Sequence, residues 1–235
     1  MAKYWKFFWP LALMAIAMNT ARLVKNYVLL QFPDGVAALA LFSLALAAFH
    51  PLTAIMGFLP QMATIMVRNR GDLRSALRFL AALLAVLLCI LNTVAWTPVG
   101  AWLMPRVFQI PEAGIQTVLV YLRWFSPLLV FHCFTHFFSG ILVRRMRTGL
   151  VTVVRVSNLT ILIINLFLGI RISDDPILIL SLSWLIADGA AFLLAIYFYF
   201  RTGPALPISD QPATPFGSYL SFFWPMALTS LMFAL

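Results

Sequence analysis

Asn19, Arg22, Lys25 and Asn26 lie within one long apolar stretch, and on an ideal helix they share an arc of about 120°. Two cations and two amides in one stripe can hold an oxyanion. A guanidinium binds carboxylate or phosphate through paired N–H groups, and an ammonium acts as a point charge. Arg123, about 12 Å deep if its helix begins near Ile115, falls in the same outer layer as Arg22, about 22 Å in from Phe7. The expectation is that Asn19, Arg22, Lys25, Asn26 and Arg123 form an electropositive substrate-binding patch. The alternative is that each cation pairs with Asp188 or helix-end carbonyls, or reaches toward the interface.

Asp188 is the only acid well inside an apolar stretch. It reads as a proton-coupling carboxylate or as the counter-ion of a nearby cation, and the cation excess favours the counter-ion. His50 and His136 join it as coupling or counter-ion candidates, His50 beside Pro51 and in reach of a carbonyl that the proline frees. His132 and His136, four apart, share a helical face, but no third ligand accompanies them. Hydrogen bonding between helices is expected there, and no metal site. Arg155 sits near enough to the inner edge to snorkel, and Asn158 and Asn165 read as interhelical glue. No phosphate-binding glycine loop, zinc signature or nucleophile elbow is present, so neither an enzyme nor a cofactor is expected.

These residues require membrane-spanning helices to position them. The 235 residues are 63% hydrophobic and 10% charged, where a soluble domain carries roughly 25% charge. Apolar stretches run at about 7–31, 36–60, 76–97, 115–141, 149–169, 176–200 and 217–235, each near the roughly 20 residues that cross a bilayer. Turn and charge signals separate them, including Pro33-Asp34-Gly35, Pro98 to Pro111 and Asp174-Asp175-Pro176. Lys3, Lys6, Arg68, Arg70, Arg74, Arg78, Arg144, Arg145, Arg147 and Arg201 flank the stretches on one side, against Arg106 and Arg171 on the other. Such asymmetry places the amino terminus and the segment 201–216 in the cytoplasm. The net charge of +9 is thereby read as membrane topology, and no nucleic-acid partner is expected. Cys89 and Cys133, both inside apolar runs, read as packing residues.

Tyr4 to Leu13 returns as Tyr219 to Leu228, offset by 215 residues, with seven of ten positions identical, including Phe-Phe-Trp-Pro. A duplicated six-span unit accounts for this: residues 1–200 as an amino-terminal lobe, 201–216 as a linker, and 217–235 as the first helix of a second lobe. Because that last span is barely long enough to cross, a truncation or a fragmentary gene product is expected.

The span opening at 8–13 and its copy at 223–228, with Phe138-Ser139-Gly140-Ile141-Leu142-Val143-Arg144-Arg145-Met146-Arg147-Thr148-Gly149, Asn158 and Asn165-Leu166-Phe167-Leu168, resemble the multidrug/oligosaccharidyl-lipid/polysaccharide (MOP) flippase superfamily. That superfamily includes MATE multidrug extruders, lipid II flippases and progressive ankylosis proteins; the span opening looks most like the last. The resemblance implies an all-α, polytopic MATE-like bundle, two lobes around a cavity that opens alternately to each side, and residence in the cell membrane. Cation-coupled MATE proteins use acids in the amino-terminal lobe, often in the first span, and this first span has none. The reading is an alternating-access transporter of an anionic solute or lipid-linked phosphate, working with a second lobe of the same protein. A MATE-type cation-coupled multidrug extruder and a non-transporting scaffold or intramembrane enzyme are the alternatives. Replacing Arg22 with Gln is expected to abolish anion flux without preventing membrane insertion, as measured by vesicle uptake and membrane fractionation.

Overall fold

The computed structural model describes residues 19–20, 23–202 and 213–234. Arg22, most of the opening span and most of the segment 201–216 therefore lie outside the described residues. Residues 23–29 are helical. The helices that follow are α1 (Gly35–Met56), α2 (Leu59–Met66), α3 (Arg70–Trp96), α4 (Pro98–Val107), α5 (Glu112–Arg144), α6 (Thr148–Gly169), α7 (Pro176–Arg201) and α8 (Phe216–Ala234). No strand occurs among the described residues. Among the described residues five stretches are long and apolar enough to cross a membrane: Gly35–Met66, Arg70–Trp96, Glu112–Arg144, Thr148–Gly169 and Pro176–Arg201.

Local sequence explains where the helices start. Asn69 accepts a hydrogen bond from the Asp72 amide at 2.8 Å while the Asp72 carboxylate accepts from the Asn69 amide at 3.3 Å. This capping box opens α3 at Arg70, earlier than the expected residue 76, and carries Arg74 and Arg78 on the helix itself. Asp175 caps α7 by accepting from the Ile177 amide at 2.8 Å, with Pro176 at the first helical position. The stretch expected at 36–60 runs on to Met66, interrupted at Gly57–Phe58, where Pro60 helps start a new helix. The expected turn region from Pro98 to Pro111 is itself mostly helix, because Thr97 caps α4 at Val99 and Pro98 suits its first position.

The helices bury one face and turn an apolar face outward. On α3 the buried positions Ala76, Phe79, Leu80, Leu84, Leu87, Leu91 and Ala95 follow the three-to-four spacing of one stripe. Val86 and Ile90 on another face are exposed. A helix bathed in water would be polar there, so this pattern marks lipid contact. The centre of the bundle is α5, whose 33 residues reach about 50 Å and pack against α1, α2, α3, α4, α6 and α7. An aromatic cluster fastens its amino-terminal half: Phe42 of α1 meets Tyr121 of α5 at 5.3 Å and Trp184 of α7 at 5.5 Å between ring centroids, both edge-on.

Gly140 sets the closest approach between α5 and α2. A Cβ there would meet the Pro60 carbonyl oxygen and lie 2.8 Å from the Ala63 Cβ. Gly149, at the start of α6, has nothing within 4 Å of the corresponding position. Gly140→Ala is therefore expected to destabilise the bundle by about 1–3 kcal/mol. Gly149→Ala should be neutral or stabilising by up to ~1 kcal/mol, since alanine favours helix. Thermal unfolding of the two variants in detergent checks the contrast.

Candidate functional site

Three helices bring a set of polar side chains into register at mid-bundle. On α5, Tyr121, Phe125, His132 and His136 fall in one stripe, as the four-residue and seven-residue spacings require. On α7, Ser181, Trp184 and Asp188 do the same. Asp188 is held from two sides: Asn158 of α6 donates to Oδ1 at 2.7 Å, and His132 Nδ1 lies 3.5 Å from Oδ2. The His132 and His136 rings are 4.7 Å apart between centroids. Arg155 of α6 closes the set, its Nη2 being 3.2 Å from His136 Nε2 and 3.3 Å from Nδ1. The imidazole nitrogen that carries the lone pair accepts from the guanidinium.

The cluster carries one guanidinium, one carboxylate and two titratable imidazoles, all half-buried. His132 keeps 33% and Asp188 21% side-chain exposure, so the described helices do not seal either one. Further along the same stripes, Tyr121, Ser181 and Trp184 each hold a buried polar atom with no hydrogen-bond partner among the described residues. Among the described residues no group of three His, Cys, Asp or Glu is arranged to hold a metal.

The expected electropositive patch is not assembled from its described members. Arg123 donates from Nε to the Ala95 carbonyl at 3.0 Å, and its guanidinium lies 4.5 Å from the centroid of the Trp96 ring. It caps the carboxyl end of α3, where free carbonyls and the helix dipole attract a cation. The Lys25 Nζ lies 4.8 Å over the ring of Phe42, which packs on Tyr121 and Phe125. Residue 123 is about 200° around α5 from both 121 and 125, so Lys25 and Arg123 address opposite faces of that helix. Asn26 is half-buried and Asn19 exposed. His50 is exposed as well, and the hydroxyl that approaches it, from Thr53, bonds its backbone carbonyl at 3.0 Å. Cys89 and Cys133 are free thiols.

A second polar assembly escaped sequence reasoning. The Asp72 carboxylate accepts from the Arg68 amide at 3.0 Å, from the Thr214 amide at 2.8 Å and from the Thr214 hydroxyl at 2.7 Å, besides the Asn69 amide. Tyr219 of α8 donates to the Asp72 carbonyl at 3.1 Å, and Ser75 donates to the Thr214 carbonyl at 2.7 Å. This clamp ties the approach to α8 onto the start of α3. Nothing local in the sequence points to the pairing of Asp72 with residue 214.

Two solved structures are similar to this chain in fold. One is a MOP superfamily transporter from Pyrococcus furiosus, described as having a binding pocket of reverse polarity that suggests a different function. It matches at TM-score 0.69 and 16% identity, over 96% of this chain and 50% of that one. The other is the outward-facing conformation of a multidrug resistance MATE family transporter of the MOP superfamily, matching at TM-score 0.63 and 16% identity over 96% and 51%. The fold is MATE-like. The chain spans about half the length of these MATE-like structures. No protein-family model and no curated protein matches it.

The His132–Asp188 contact at the heart of the MATE-like bundle is open to a double-mutant cycle. His132→Phe, Asp188→Asn and the double variant are expected to reveal a coupling of about 0.5–3 kcal/mol in thermal stability. Additive effects would separate the two residues.

Proposed function

We propose that the chain is part of an alternating-access membrane transporter, not an enzyme, and that the cargo is an anionic solute or a lipid-linked phosphate. The supporting observation is the charge balance inside the bundle. Among the described residues, Lys25, Arg123 and Arg155 lie within apolar helical segments against a single carboxylate, Asp188, and both oxygens of that carboxylate are engaged by Asn158 and His132. A cationic drug entering this interior meets net repulsion, whereas an oxyanion meets attraction strengthened by the low dielectric.

Arg155 and His136 are the residues placed best for contact. The guanidinium has five N–H donors, and each imidazole of His136 and His132 carries an N–H donor of its own. Lys25, with Asn26, remains a second contact nearer the opposite side. Arg123 is assigned a structural role at the end of α3. Asp188 serves as counter-ion, as favoured from the cation excess. The reading includes a second lobe of the same protein, joined through a cytoplasmic segment at 201–216, in the cell membrane with the amino terminus cytoplasmic. The reverse-polarity pocket of the Pyrococcus furiosus protein is a precedent for departures from cation handling on this fold.

Reconstituted in proteoliposomes, the protein is expected to move phosphate- or carboxylate-bearing solutes and to leave cationic dyes behind. Loss of one charged hydrogen bond costs about 1.5–3 kcal/mol. Arg155→Gln should therefore weaken apparent anion affinity by roughly 10–100-fold. Accumulation of cationic dyes with no anion flux would overturn the assignment and favour a multidrug extruder.

A further inference from the structure

A cleft of about 620 Å³ opens between the end of α2 and the start of α8, away from the cluster on α5, α6 and α7. Its polar wall includes Arg68, Ser218 and Ser221, and its apolar wall is Ile65, Met66 and Phe222. The Arg68 guanidinium and the two serine hydroxyls have no hydrogen-bond or ion-pair partner among the described residues, whereas the neighbouring Thr214 and Ser75 hydroxyls are both engaged. A helical serine ordinarily bonds back to a carbonyl four residues earlier, as Ser43 does here at 2.8 Å. Ser221 makes no such bond, leaving its hydroxyl available to the cleft.

We infer that this cleft is a binding site for a phosphate-bearing anion, distinct from the proposed transport site. A guanidinium and two hydroxyls are the donors that phosphate oxygens take, and the volume lies in the usual range for small-molecule sites. The cleft lies at the bundle end where the flanking arginines gather. Arg144, the last residue of α5, donates to the Thr64 carbonyl of α2 at 2.8 Å and so belongs to the same end. Asp72, the carboxylate bonded to the Arg68 amide, does not oppose an anion there: it is 4% exposed, and three backbone amides with the Thr214 hydroxyl already satisfy it. By fixing Thr214, that same carboxylate holds the α8 wall of the cleft against α3. The juxtaposition of donors with an apolar wall suits a phospholipid, headgroup on Arg68 and acyl chain along Phe222. A free phosphate compound would use the donors alone.

The test is thermal unfolding of the purified protein in a neutral detergent, titrated with short-chain phosphatidylglycerol, short-chain phosphatidylcholine or inorganic phosphate. Three proteins are compared: wild type, Arg68→Gln and Gly217→Leu. A Cβ at Gly217 meets nothing within 4 Å, so leucine can occlude the cleft without straining the backbone. Phosphatidylglycerol is expected to raise the wild-type Tm more than phosphatidylcholine does, with the midpoint weakened at least about tenfold in each variant. A shift by inorganic phosphate alone, lost in both variants, assigns the site to a free phosphate compound. The inference is overturned if neither probe shifts the wild type, or if both variants respond as the wild type does. Anion flux through the transport site is measured in parallel. Unchanged flux in Arg68→Gln and Gly217→Leu keeps the two sites distinct.

Discussion

A hydrocarbon surround leaves a polar group only the protein to bond with, and this constraint explains most of the structure. Backbone amides and carbonyls satisfy it by forming helix along each of the long apolar stretches described. Side-chain charges satisfy it by finding one another or a helix end. Arg123 takes the second route, bonding the Ala95 carbonyl and lying over Trp96. Asp188 takes the first, accepting from Asn158 and facing His132. The cluster that results joins α5, α6 and α7 at a depth where an unpaired charge would cost several kcal/mol.

The central helix α5 decides which groups can meet. Its stripe of Tyr121, Phe125, His132 and His136 faces α1 and α7, so the aromatic cluster and the ionisable cluster form one continuous seam. Arg123, on the opposite side of the same helix, is directed to α3 instead. Small residues permit this crowding. Gly140 lets α2 approach α5 where a side chain would collide with Pro60 and Ala63.

At the arginine-rich end the governing group is Asp72. One buried carboxylate completes a helix cap and also receives the amide and hydroxyl of Thr214, 142 residues away. The repeated motif makes use of the docking that follows. Tyr219 stacks on Phe79 at 5.8 Å and Phe223 reaches Phe58 at 5.0 Å, an i, i+4 pair that turns one face of α8 to the bundle, while Trp224 stays exposed. The helix that copies the opening span is thus anchored by its tyrosine and second phenylalanine.

Much of the architecture was legible in the residues alone. Apolar runs of span length located the helices, because burying a backbone in lipid demands a minimum length of apolar helix. Turn and charge signals such as Asp174-Asp175-Pro176 marked the breaks between them, and the Tyr4 and Tyr219 strings are the repeated motif. Helical periodicity also put His132 with His136 and Asn19 with Lys25 on common faces. It could not say which helix each face meets, since partner choice depends on how helices cross, and residues far apart in the chain decide that. The pairing of Arg123 with Ala95, of Asp188 with Asn158 and of Asp72 with Thr214 belongs to the tertiary structure alone, because each charge accepts whichever partner the packing brings within about 3 Å.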